Sequence, residues 1–124
     1  DRIADHFAST YSEARGKFLA AVQAGGARLL SSHTNPAKGP SGEDCITDVA
    51  WQGPADASKV LILVSGTHGA EGYAGSGCHV AWLQERWFER VAATRPELAE
   101  ADRGDHGRLR SVSAQAFVSA SMRL

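Results

Sequence analysis

Apolar residues recur at helical spacing near the start of the chain: Tyr11, Ala14, Phe18, Ala21 and Val22. Residues so spaced share one face of a helix. Thr10-Tyr-Ser-Glu13 precedes them in the form of a capping box, and Gly25-Gly26 follows as a stop. The pattern predicts a helix from Tyr11 to Ala24. Ala27 to Ser32 reads as a short strand. From Ser32 to Glu43 the residues His33, Asn35, Pro36, Gly39, Pro40 and Gly42 predict a loop or hairpin. Ile46, Val49 and Trp51, set among polar neighbours, predict a half-exposed strand from Cys45 to Trp51. After the turn Gly53-Pro-Ala-Asp56, Val60 to Val64 is apolar without alternation, the pattern of a strand buried on both faces.

Beyond Gly72 the stripe Val80, Leu83, Trp87, Phe88 and Val91 predicts a helix from Tyr73 to Ala92. Thr94-Arg-Pro-Glu97 is a second capping signature, with a short helix expected to Arg103. Asp102 to Arg110 reads as a charged loop. From Val112 to Leu124 apolar and polar residues mostly alternate, which predicts a strand, although alanine is a poor strand former. The order is helix, strands, buried strand, glycine turn, helix. That is the logic of an α/β fold with a site at the carboxyl end of a buried strand.

Composition narrows the function classes. The 124 residues fit one small domain, with 43% hydrophobic residues. Thirteen basic and fourteen acidic residues leave a net charge of −1, so neither nucleic acid nor an anionic membrane surface is an expected partner. The run Val60–Val64 is far too short to span a bilayer. No apolar signal segment follows Asp1. The two cysteines, Cys45 and Cys78, form neither a disulfide framework nor a CxxC pair. They are expected to be reduced thiols, and the protein cytoplasmic.

The chemistry is concentrated in Ser65-Gly-Thr-His68-Gly-Ala-Glu71-Gly72. An imidazole and a carboxylate three residues apart, on a rigid turn, can hold one metal ion from two sides. The plain structural alternative is that His68 and Glu71 only cap the following helix. Other candidates are weaker. His79 falls inside a predicted helix and reads as a core or surface residue. His106 lies in Gly104-Asp-His-Gly107 with no strand before it. His6 and His33 precede the motif. Glu85, Glu89, Glu97 and Glu100 read as solvated helix carboxylates. Neither a third ligand nor a catalytic base is legible, so the catalytic residues stay unassigned. A phosphate site at the same turn would need G-K-[ST] or G-x-G-x-x-G, and Glu71 would repel the anion.

This segment resembles the first metal-ligand motif of the zinc carboxypeptidase superfamily. It is especially similar to the G-x-H-G-x-E form of the succinylglutamate desuccinylase and aspartoacylase branch. A longer stretch resembles an uncharacterised bacterial family of carboxypeptidase-like proteins. It includes His6-Phe-Ala-Ser-Thr-Tyr-Ser-Glu-Ala-Arg-Gly-Lys-Phe-Leu19, Thr47-Asp-Val-Ala-Trp-Gln-Gly-Pro54 and Gly75-Ser-Gly-Cys-His-Val-Ala-Trp-Leu83, and runs to about Val91. The resemblance implies zinc as cofactor, with His68 and Glu71 as its first two ligands. It implies the N-terminal part of a mixed, mostly parallel sheet flanked by helices. It also implies hydrolysis of an amide or peptide bond near a free carboxylate, in a small-molecule or peptide substrate. After Val91 the family's next buried strand, its N-P-x-G turn, its third histidine and its glutamate base have no counterpart here. The expected division is therefore residues 1–91 as a carboxypeptidase-like portion and 92–124 as a divergent tail. Two functions are weighed: a truncated zinc-dependent hydrolase, and a non-catalytic remnant or interaction module. If the later strands are missing, Val60–Val64 should have an open edge through which the chain self-associates.

Overall fold

The computed structural model describes residues 2–57, 59–67, 69–94 and 109–116, the last as backbone. The order is a short 3₁₀ turn (Ile3–His6), α1 (Tyr11–Ala24), β1 (Arg28–Lys38), β2 (Asp44–Gln52), β3 (Lys59–Ser65), α2 (Gly72–Gln84), α3 (Trp87–Ala93) and β4 (Leu109–Ala116).

Helix α1 has the predicted bounds, and its ends show why. The Thr10 hydroxyl accepts the Glu13 N–H at 3.3 Å. The Glu13 carboxylate reaches back to the Ser9 N–H at 3.1 Å, one residue further than an ordinary capping box. At the other end the Gly25 N–H donates to the Ala21 carbonyl at 2.8 Å. Gly26 then adopts φ 71°, which glycine takes without strain. The predicted stripe Tyr11, Ala14, Phe18, Ala21 and Val22 is the buried face.

Strands β1 and β2 form an antiparallel hairpin. Of the loop or hairpin expected over Ser32 to Glu43, the hairpin forms, and residues 33–38 continue β1 to Lys38. They can do so because β1 lies at the end of the sheet, where Pro36 removes no donor that an inner strand would need. The pairing is irregular between Leu29 and Ser31 and between Thr34 and Lys38.

The sheet order is β1-β2-β4-β3. β4 pairs antiparallel with β2 and parallel with β3. The α/β expectation holds in its coarse form, a sheet combined with helices. The finer expectation of a mostly parallel sheet does not, because two of the three pairings are antiparallel. The cause is connection length. The turn between β1 and β2 is too short for a crossover, whereas α2 and α3 lie between β3 and β4. The predicted C-terminal strand is present over Leu109–Ala116. Its continuation to Leu124, and the short helix expected after Thr94, lie outside the described residues.

The helix expected from Tyr73 to Ala92 is broken in two. Arg86 adopts a left-handed φ of 55°, and the Glu85 N–H donates to the Ala81 carbonyl at 2.9 Å. The break falls where the Leu83 carbonyl lies against Gly25, so closely that a Cβ there would collide with it. Arg86 pairs with Glu89, and the Trp87 indole donates to Glu85 at 3.0 Å. As a result Phe88 is buried while Trp87 stays exposed under the Arg90 guanidinium.

The core consists of Phe18, Ala21 and Val22 from α1, Ala50 from β2, and Val80 and Leu83 from α2. Register aligns Ala50 with Ser113 and Ser113 with Leu63, so these positions share the helix-facing side of the sheet. On β3 the opposite face carries Val60, Ile62 and Val64, which are 42%, 64% and 61% exposed. The reading of β3 as buried on both faces is therefore corrected. Apolar residues on both sides of a strand predict two covering layers, but α1 and α2 pack on the same one. Among the described residues, no helix is long and apolar enough to cross a membrane.

Candidate metal site at the end of β3

β3 ends at the buried Ser65, and the chain turns at Gly66 with φ 73°. Gly72 closes the turn by lying directly on the Gly66 backbone. A Cβ on Gly72 would stand 3.1 Å from two Gly66 backbone atoms and 3.3 Å from the Thr67 carbonyl. That is tighter than ordinary van der Waals contact, and backbone cannot swing aside. Three local hydrogen bonds then start the helix: Gly72 N–H to Gly69 O at 2.9 Å, Tyr73 N–H to Ala70 O at 3.2 Å and Ala74 N–H to Glu71 O at 3.1 Å.

Glu71 immediately precedes α2, with backbone already helical and no side-chain capping hydrogen bond. Its side chain curls back over Gly69, where a Cβ would stand 3.1 Å from Oε2. The carboxylate thus lies tightly over Gly69, so a side chain there would have to push it aside. His68 itself lies outside the described residues.

Beneath the turn is a pair that the sequence did not suggest. Ser65 Oγ and His79 Nδ1 are 2.8 Å apart, both buried. Burial pushes the His79 pKa down to about 4, so the ring is neutral at ordinary pH. Its Nε2 has no hydrogen-bond partner, and its ring meets Phe18 edge-on at 5.4 Å. The core reading of His79 is borne out by its burial. Nothing in the linear sequence pairs it with Ser65, since the contact depends on how α2 lies against β3. A cavity of about 290 Å³ opens beside the pair, lined by Leu63, Val64, Gly75, Cys78 and Trp82 together with Ser65 and His79.

Two further histidines, His6 and His33, are elsewhere. His6 is 3.6 Å from the Glu85 carboxylate, and His33 meets Ser31 Oγ at 2.9 Å on β1. His106 lies outside the described residues. Among the described residues, no group of three or more histidine, cysteine or acidic side chains could hold a metal ion. On this geometry the turn offers a carboxylate on a rigid strand-to-helix corner. With His68 it would supply two donors of a metal site.

The family model described as "Protein of unknown function (DUF2817)" matches residues 7–98. The chain belongs to this family. The match takes in α1, the hairpin, β3, the glycine turn and both following helices, so the candidate site lies within it. No curated protein and no solved structure matches the chain.

Proposed function

We propose that this member of the DUF2817 family carries the first half of a zinc-dependent amide hydrolase site, with His68 and Glu71 as the first two ligands. The observation that carries the reading is the Glu71 carboxylate, folded back over Gly69, the residue that follows His68 in the chain. A capping role would instead turn it toward the N–H groups of α2, and it makes no such capping bond. The residues fit two positions of a zinc shell, an imidazole and a carboxylate on rigid backbone. When bound, zinc would polarise a scissile carbonyl and lower the pKa of a bound water. This chain's own contribution is orientation: the positive φ of Gly66 and the close approach of Gly72 to its backbone give the turn that carries Glu71 a tight bend. The substrate class is an amide or peptide bond near a free carboxylate. In this reading residues 1–91 are the hydrolase-like portion and 92–124 a divergent tail, with the family match itself running on to residue 98.

Metal analysis of the purified chain tests the proposal. We expect about one zinc per chain, lost in His68→Ala and reduced in Glu71→Ala. Zinc no higher than in a metal-free control protein would sink it.

A second reading is that the chain is a non-catalytic interaction module. It is favoured by the exposed row Val60, Ile62 and Val64 on the outermost strand β3. The zinc analysis separates the two, and hydrolysis of N-acyl amino acids, with and without a chelator, adds a one-sided test. We expect no turnover from this chain alone; turnover that the chelator abolishes would refute the second reading.

A further inference from the structure

We propose that Ser65 and His79 form a latch that positions the Gly66–Glu71 turn, making His79 a positioning residue for the metal pair. The consequence for metal rests on the zinc reading above; the latch itself does not.

The turn joins two elements fixed to one another at three points. Ser65, the last residue of β3, meets His79 at 2.8 Å. Gly75, one turn earlier on α2, lies close enough that its Cβ would stand 3.6 Å from the Ser65 Cβ. Gly72 rests on the Gly66 backbone. The two glycine contacts bring helix and strand close, but backbone packing has little directional preference. The hydroxyl–imidazole bond supplies direction, since it forms only when α2 has one rotation and one height relative to the end of β3. Glu71 then follows a turn whose two ends are both held.

The chemistry argues against a purely space-filling histidine. The ring is 5% exposed and its Nε2 is buried without a partner. Burying such an atom costs stability that leucine at the same place would not. The Nδ1 bond to Ser65 is what the polar ring supplies in return.

Hydrogen exchange read by mass spectrometry on the full chain tests this, with three variants. His79→Leu keeps the volume and loses the bond. His79→Asn loses volume but places a polar atom where Nδ1 stood. Ser65→Ala removes the partner oxygen alone. Loss of one such bond is worth a factor of about five to ten in local opening. We therefore expect His79→Leu and Ser65→Ala to speed exchange of the amides at 66–72 by about that factor, with α1 unchanged. His79→Asn should stay within about twofold of the parent if the bond is what matters. The opposite order, with leucine protecting the turn and asparagine exposing it, would mean that His79 only fills space and would overturn the proposal. Should His79→Leu fail to fold, the Ser65→Ala comparison decides alone.

Zinc titration of the same variants separates this idea from the one beneath it. With both correct, zinc binding weakens in His79→Leu and Ser65→Ala and is kept in His79→Asn. A parent chain that takes no zinc defeats the metal reading while the exchange pattern still decides the latch. A parent that binds zinc with a turn equally protected in all variants defeats the latch alone.

Discussion

The Arg15 guanidinium grips the Asp48 carboxylate with two N–H donors, Nε at 2.8 Å from Oδ2 and Nη2 at 3.2 Å from Oδ1. Asp48 is 1% exposed, and the Ser32 hydroxyl donates to its Oδ1 at 2.6 Å. One carboxylate thereby ties α1 to both strands of the hairpin. The carboxylate beside Arg15 raises the guanidinium pKa further. Removing one partner of such a pair leaves the other charge buried and uncompensated, at about 3–5 kcal/mol. Arg15→Ala should destabilise the chain by that order in urea unfolding. A loss below about 1 kcal/mol, the size of a surface pair, would show that water reaches Asp48.

His79 gives stability a pH dependence of definite sign. Its folded pKa is about 4, against 6.5 for an unperturbed imidazole, with burial as the cause. Between those values the unfolded chain binds the proton more readily. The contribution is whole above pH 6.5 and is lost as pH falls toward 4. At about 1.4 kcal/mol per unit, the loss is of the order of 3 kcal/mol. Unfolding midpoints between pH 7 and 4 should fall less steeply in His79→Leu than in the parent. Parallel curves would mean that the ring is protonated in the folded state.

Two glycines in helices should respond oppositely to alanine. A Cβ on Gly16 meets nothing within 4 Å, so Gly16→Ala should stabilise the exposed side of α1 by about 0.5–1 kcal/mol. A Cβ on Gly77 would overlap the Phe7 ring. Gly77→Ala must displace that ring and the chain start packed on α2, at about 1–3 kcal/mol. Thermal unfolding of the two variants should move in opposite directions; a shift of the same sign would contradict the packing described between Phe7 and α2.

The outermost strand should make the protein self-associate. β3 presents Val60, Ile62 and Val64 exposed, with no proline and only Lys59 charged. β1, at the other end, carries Pro36, Lys38 and irregular pairing, features that discourage edge-to-edge contact. Light scattering should find oligomers in the parent chain and a shift toward monomer in Ile62→Lys. A monodisperse monomer at high concentration would mean that β3 is protected.

The thiols should differ in reactivity. Cys78 is exposed on α2, whereas Cys45 is buried and burial pushes its thiol pKa up. A thiol reagent at neutral pH should label Cys78 first and Cys45 only on unfolding. Equal rates would mean that the start of β2 opens readily.

Local pattern alone was enough for α1. Its cap, stripe and stop lie within one contiguous stretch, and each is a matter of neighbouring residues. The hydrophobic run of β3 and the alternation near Val112 likewise specified strands, because side-chain period is a local property. The glycine turn was legible for the same reason, with His68 and Glu71 three positions apart. What local pattern misread or left open was set by neighbours in space. Of the loop or hairpin expected around Pro36 the hairpin formed, and Pro36 can sit in a strand because β1 is at the sheet's end. The stripe through Trp87 breaks at the left-handed Arg86, next to the place where the Leu83 carbonyl meets Gly25. The Ser65–His79 pair spans fourteen residues and exists only once α2 lies on β3.

By itself, then, the sequence determined most of the helices and strands, though not all their bounds, and which turn carries a histidine and a glutamate three residues apart. Backbone propensity, capping and periodicity act over a few residues. Only the tertiary structure decided that β4 inserts between β2 and β3, that one face of β3 stays uncovered, and that a buried hydroxyl and imidazole meet beneath the turn. Those outcomes depend on which surfaces remain to be buried once the helices have packed, and on connection lengths that allow some pairings and forbid others.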